Sequence, residues 1–180
     1  MGPWVLLLAA ALGVLVLLRS AGAGHSGGGV RVEVVLDEAT RVRCEQWRSI
    51  VRNAIDFNAA KVSTSLVLAL IARESRGKET AIGDADDRGL MQITSVAWTD
   101  YINLSGDPAP PRFNDMFHAE PNTRVGVWFL QHSIDAMGSV RDGLRAYNRG
   151  VQGAKDDPSG SAEYADWILA VEPKFRGVTA

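Results

Sequence analysis

Seven consecutive apolar residues at positions 66–72 (LVLALIA) run directly into Arg73-Glu74-Ser75-Arg76-Gly77, and no other stretch limits the folds open to this chain so strongly. A helix that is apolar on every side must be covered on every side, so this one belongs at the centre of a domain. Ser63 or Ser65 supplies its N-cap and Gly77 its stop. The remaining periodicities supply the cover. Over residues 38–60, Trp47, Ile50, Val51, Ala54 and Ile55 form one apolar stripe, with Arg41, Arg43, Glu45, Arg48 and Arg52 on the wet side. Further helices are predicted over residues 89–102, from an Asn122 cap to residue 137, over residues 142–148, and from a Ser161 cap to residue 171. Pro108, Pro110 and Pro111 part the first two of these. Trp47, Trp128 and Trp167 fall on apolar helix faces and are assigned to the core. Only residues 30–36 (VRVEVVL) alternate like a strand, and no partner strand follows, so the fold class is all-α with at most one minor strand.

Composition removes several classes of function. The 180 residues suffice for one domain with a real core. Nineteen Lys and Arg against 21 Asp and Glu leave a net charge of -2, with no basic face for nucleic acid. Cys44 has no second cysteine to pair with, and His25, His118 and His132 match no metal-ligand spacing, so neither a metal nor a cofactor is expected. The amino terminus points to the cell envelope. Positions 2–18 carry no charge and consist mostly of Leu, Val and Ala, close to the ~20 residues of a spanning helix. Ala21-Gly22-Ala23 offers a small-x-small cleavage sequence. Residues 1–23 therefore read as a signal peptide or a retained membrane anchor, 24–29 as a Gly-rich linker, and 30–180 as the folded domain. Arg19 behind the apolar run, with no basic residue ahead of it, pulls against export of the carboxyl side.

Glu74 closes the buried helix. A carboxyl among apolar neighbours has its charged form disfavoured, and the negative end of the helix dipole acts in the same sense, which is the condition for a general acid. The alternative is a solvated Glu74 paired with Arg73 or Arg76 on an exposed last turn. Further signals follow in order: Gly89-Leu90-Met91-Gln92, with Gln92 18 positions after Glu74, then Ala146-Tyr147-Asn148 and Gly150. An apolar helix ending in Glu-Ser, then Gly-Leu-Met-Gln, then Ala-Tyr-Asn-x-Gly resembles the soluble lytic transglycosylase catalytic domain of the lysozyme-like superfamily. Glu120-Pro121-Asn122 loosely echoes a further motif of that family, and Tyr164 stands where it carries a tyrosine in its last helix. The resemblance runs from about Arg48 to Val171. It implies a lysozyme-like fold, Glu74 as the catalytic residue, and Ser75, Gly89, Gln92, Tyr147, Asn148 and Tyr164 as substrate-binding residues. Chemically, Gly89 would let backbone approach a sugar, the Gln92 amide would bond a hydroxyl or acetamido group, and Met91 would fill the core behind it. The Tyr147 ring would face a sugar while its hydroxyl bonds Glu74.

By the same resemblance, the reaction is cleavage of the β-1,4 bond between N-acetylmuramic acid and N-acetylglucosamine. A single Glu protonates the glycosidic oxygen, then deprotonates the C6 hydroxyl, which closes on C1 to form a 1,6-anhydromuramoyl end. Two features open alternatives. Where many lytic transglycosylases carry Ser nine residues before the Gln, this chain has Gly83. The loop Gly83-Asp84-Ala85-Asp86-Asp87 is similar to goose-type lysozymes, in which loop aspartates hold a water, so Asp84 is a candidate second carboxylate for hydrolysis. A non-catalytic module that grips glycan strands on the same fold is the remaining reading. The implied partner is peptidoglycan, with the membrane engaged if the first segment is uncleaved, and an envelope-spanning assembly or a virion as the setting. Localisation follows as periplasm, cell envelope or membrane, or the virion if phage-encoded.

Overall fold

The computed structural model describes residues 34–177. The apolar segment, the linker and most of the expected strand lie outside the described residues, and residues 34–37 carry no regular structure. From Glu38 onward the chain is a separate helical unit. Its centre is α3 (Thr64–Glu74), in which all eight residues from Ser65 to Ala72 are buried. Ser63 caps it, its Oγ accepting from the Leu66 amide at 3.1 Å.

The long helix expected over residues 38–60 is two helices, α1 (Glu38–Glu45) and α2 (Arg48–Phe57). The break falls at Trp47, whose indole Nε1 donates to Gly77 O at 3.0 Å. Arg48 beside it donates to Phe175 O at 2.8 Å. Long-range bonds at the junction thus replace continued helix. Trp47, Trp128 and Trp167 are each half-buried rather than in the core, because each spends its ring on a polar or charged neighbour. Trp128 stacks on His132 with ring centroids 5.0 Å apart, and Trp167 lies under Arg73 at 5.5 Å.

The helix expected from Gly89 does not begin there. Gly89 at φ 74° and Gln92 at φ 48° both take left-handed backbone, so 89–92 is a turn, and α4 (Ser95–Leu104) starts after a Thr94 cap. α5 (Ala119–Met137) starts three residues before its expected Asn122 cap. Gly138 then ends it in left-handed conformation and Ser139 caps α6 (Val140–Arg149), giving a tight helical hairpin. A short α7 (Val151–Asp156) follows, which no periodicity announced. In α8 (Ala162–Val171), Ser161 does not cap: it sits at φ 58° and its Oγ donates to Asn148 Oδ1 at 2.6 Å. Short 3-10 turns at Phe113–Phe117 and Glu172–Phe175 complete the unit. Among the described residues there is no strand, only two isolated bridges, Ile82 with Arg88 and Arg88 with Ile93. The described fold is therefore all-α. These bridges pin the loop between α3 and α4 beside the carboxyl end of α3, where α6 and α8 also converge.

Candidate active site

Glu74 is the last residue of the buried helix. The chain turns sharply behind it, because Arg43 Nε donates to Arg76 O at 3.0 Å and the Gly77 backbone lies against α1. A Cβ on Gly77 would stand 2.9 Å from the Arg43 carbonyl carbon, so a close approach of two backbones fixes where α3 ends. Ser75 seals that end: its Oγ donates to Ile71 O and accepts from the Gly77 amide, both at 3.2 Å. The hydroxyl expected to meet substrate is thus buried in the helix stop.

The Glu74 side chain is half-buried, packed among protein atoms yet open at one side. Burial pushes its carboxyl up to about 7; the hydrogen bond from Tyr164 and the charge of Arg73 oppose that rise, and the charge of Asp87 adds to it. Tyr164 OH donates to Glu74 Oε1, and its own ionisation is pushed well above the ordinary range by burial and by Glu74. Arg73 rests its guanidinium over the rings of Tyr164 and Trp167 at 5.7 and 5.5 Å. α8 therefore reaches Glu74 directly.

Tyr147 makes a different bond from the one expected. Its hydroxyl donates to Met91 O at 2.8 Å rather than to Glu74. The left-handed backbone at Gln92 leaves that carbonyl outside any helix, and Tyr147 satisfies it. Burial and the charges of Glu74 and Asp87 raise Tyr147 well above the usual phenol range. Its ring packs edge-on against Phe129 with centroids 5.3 Å apart. Tyr147, Asn148, Gln92, Val96 and Arg149 line a cleft of about 250 Å³.

Gly89 serves the interior instead of a sugar. A Cβ there would lie 2.1 Å from Met116 O and 2.4 Å from Asn122 Nδ2. Asn122, expected to cap a helix, is a wholly buried bracket for this turn. Its Oδ1 accepts from the Met91 amide at 2.8 Å, and its Nδ2 donates to Arg88 O at 2.7 Å and Met116 O at 2.8 Å. Gln92 also holds the loop, with Nε2 donating to Gly89 O at 2.9 Å and Ala81 O at 3.3 Å. Only its Oε1 remains to face a ligand. Met91 is wholly buried, as its apolar character implied.

Asp84 is exposed on the loop. The carboxylate whose charge reaches Glu74 and Tyr147 belongs to Asp87. Three aspartates within four positions gave the sequence no means of choosing among them. The signal that could have found Asp87 is Gly83: a Cβ on Gly83 would stand 2.6 Å from Asp87 Oδ2, so the glycine leaves room for that carboxylate. Ser75, Gly89 and Asn122 are then the framework; Tyr164 and Asp87 act on Glu74 through a hydrogen bond and through charge, and Tyr147 and Gln92 line the neighbouring cleft.

Three comparisons bear on the family and the fold. A lytic transglycosylase of Cronobacter sakazakii, named endo-type membrane-bound lytic murein transglycosylase A, is 35% identical over 89 residues, 49% of this chain and 43% of that protein. The chain thus matches less than half the length of that relative. The 70 kDa soluble lytic transglycosylase of Escherichia coli superposes on 72% of this chain with a TM-score of 0.64 at 18% identity, through 24% of its own length. An inactive mutant of the lytic transglycosylase Slt from Pseudomonas aeruginosa superposes on 69% of this chain and 23% of its own, with a TM-score of 0.60 at 16% identity. The fold is therefore that of the soluble lytic transglycosylases. With the family model described as "Transglycosylase SLT domain" matching residues 55–169, from the last turn of α2 into α8 and including Glu74, the chain belongs to the transglycosylase SLT domain family.

Proposed function

We propose that this chain cleaves the β-1,4 bond between N-acetylmuramic acid and N-acetylglucosamine in peptidoglycan, leaving a 1,6-anhydromuramoyl end. The observation that carries the proposal is Glu74, a carboxyl raised to about 7 at the end of a buried helix and held by a neutral tyrosine. At that value it is substantially protonated near neutral pH, so it serves as acid and then as base at one pH. Tyr164 occupies Oε1, leaving Oε2 for the glycosidic oxygen. Proton transfer to that oxygen breaks its bond to C1. The Glu74 carboxylate, stabilised by the Tyr164 hydroxyl, then takes the proton of the C6 hydroxyl as O6 bonds to C1. Glu74 ends protonated and no water is consumed. A single carboxylate suffices because the nucleophile belongs to the substrate, whereas hydrolysis by a carboxylate pair needs a second group placed to hold water. Exposed Asp84 does not favour that reading. A raised, retained Glu74 favours catalysis over a gripping module, since a carboxyl in such a place costs stability.

The name of the Cronobacter sakazakii relative supports murein as the substrate, and an activity on murein would be exerted in the cell envelope. Incubating the purified full chain with isolated peptidoglycan and measuring released soluble fragments tests the proposal. Release by the wild-type chain, and a loss of about 100-fold or more in Glu74→Gln, is the expected result. Equal release by the two would overturn it.

A further inference from the structure

Of the residues that line the cleft beside Tyr147, only Arg149 carries a charge. Sugar rings are bound by stacking and by neutral hydrogen bonds, neither of which needs a cation. A guanidinium at this place instead matches a carboxylate, the group its planar fork of donors fits best.

The fold holds this arginine in place. Arg149 is the last residue of α6, and its Nη1 donates to Asp157 Oδ2 at 2.9 Å. The Gly160 backbone lies against the guanidinium: a Cβ there would stand 1.9 Å from Nη1 and 2.7 Å from Cζ, so any other residue at 160 would displace it. The loop 157–160 that makes this slot is itself fixed. Asp157 Oδ1 accepts from the Ser159 amide at 3.2 Å, the Ser159 hydroxyl at 2.8 Å and the Gly160 amide at 2.9 Å. From inside, the buried Arg145 donates to Gly160 O at 2.9 Å, Asp157 O at 2.6 Å and Ala154 O at 2.8 Å. The residue after the loop, Ser161, bonds Asn148 beside Arg149 from a left-handed backbone that costs a serine free energy. Two buried or strained features thus serve to fix the end of α6 at the cleft.

Asp157 does not exhaust the arginine. A guanidinium has five N–H donors, and one oxygen of Asp157 meets Nη1 alone. Among the described residues Nε and Nη2 donate to no other group, and the side chain is 39% exposed. A cation held by its surroundings with donors to spare loses little freedom when an anion arrives.

We propose that Arg149 is a specificity residue that binds a carboxylate borne by the muramic acid of the substrate, on its lactyl arm or on the peptide stem attached to that arm. This rests on the glycan-cleaving function above. The sugar rings of peptidoglycan are neutral, and its carboxyl groups enter with muramic acid: the lactyl carboxyl is free where no stem is attached, and where a stem is attached the peptide brings carboxylates of its own. Arg149 thereby separates a muramic-acid strand from a chain of N-acetylglucosamine alone.

The test measures binding by the full chain carrying Glu74→Gln, so that the ligand stays intact. Its ligands are soluble peptidoglycan strands with stems, the same strands stripped of stems by an amidase, and an N-acetylglucosamine tetramer. Adding Arg149→Gln should weaken strand binding about tenfold and leave tetramer binding unchanged. A loss confined to stem-bearing strands assigns the carboxylate to the peptide, and one confined to stripped strands assigns it to the lactyl arm. The control is Arg141→Gln, an exposed arginine on the same helix paired with Asp166, which should change neither. Undiminished binding of both strand types would overturn the proposal, and so would an equal loss for the tetramer, which would make Arg149 a structural residue only. A second measurement leaves Arg149 in place: converting the strand carboxylates to amides should weaken binding about tenfold, and unchanged binding would refute the contact. If the wild-type chain releases nothing from peptidoglycan, the assigned function fails, while these binding measurements still decide the role of Arg149.

Discussion

Replacing Glu74 with Gln should stabilise the fold above neutral pH while abolishing its chemistry. The carboxyl has an ordinary value of 4.5 and is raised to about 7 in the folded chain. The folded state therefore binds the proton more tightly than the unfolded state, so this group's contribution to stability falls as pH rises from about 4.5 and has reached its full cost above about 7. At about 1.4 kcal/mol per pKa unit the full shift would cost about 3.5 kcal/mol, and about 2 kcal/mol remains after discounting for solvent around a half-buried group. Gln keeps an oxygen that accepts from Tyr164, and it carries no charge to desolvate. Denaturant unfolding of both chains at pH 4.5 and pH 8.5 isolates the effect. Glu74→Gln should be more stable than wild type by about 2 kcal/mol at pH 8.5, with the gap nearly closed at pH 4.5. A variant equally or less stable at pH 8.5 would refute the reasoning, because it would mean that the native carboxylate is not penalised.

Two further perturbations separate the site from its frame. Tyr164→Phe removes the hydrogen bond that stabilises the Glu74 carboxylate, so the alkaline limb of the pH profile for peptidoglycan cleavage should move upward; an unmoved limb would detach Tyr164 from the acid. Gly89→Ala adds a Cβ 2.1 Å from Met116 O at a residue with φ 74°, and should cost about 3 kcal/mol from overpacking and left-handed backbone together, read by denaturant unfolding; a loss near zero would contradict the close packing of this turn.

The core helix was legible because its signals are local. An uninterrupted apolar run, a serine cap and a glycine stop set its length and its burial, and Glu74 at its end followed from the same residues. What escaped the sequence depends on contacts between distant segments. Asn122 has the residue type and the position of a helix cap, and only the folded turn at 89–92 shows that its three hydrogen bonds hold that turn from inside. The bond to Glu74 expected of Tyr147 is made by Tyr164 for the same reason. Tyr147 meets a stranded carbonyl that a left-handed Gln92 creates, and Tyr164, one turn into α8, reaches Glu74 across 90 residues of sequence. Among three neighbouring aspartates, burial and not spacing distinguishes Asp87 from Asp84. The break between α1 and α2 likewise has its cause in Trp47 bonding a loop 30 residues away.

The central claim is that Glu74 acts alone as acid and base on a sugar that brings its own nucleophile. Mass spectrometry of the fragments released from purified peptidoglycan by the full chain, before and after borohydride treatment, tests it most directly, with Glu74→Gln as the control. The account predicts products lighter by one water than hydrolysed muropeptides and unchanged by borohydride, all absent with Glu74→Gln. Borohydride-reducible muramic acid ends as the main product would contradict it, and would make the enzyme a hydrolase that needs a second carboxylate.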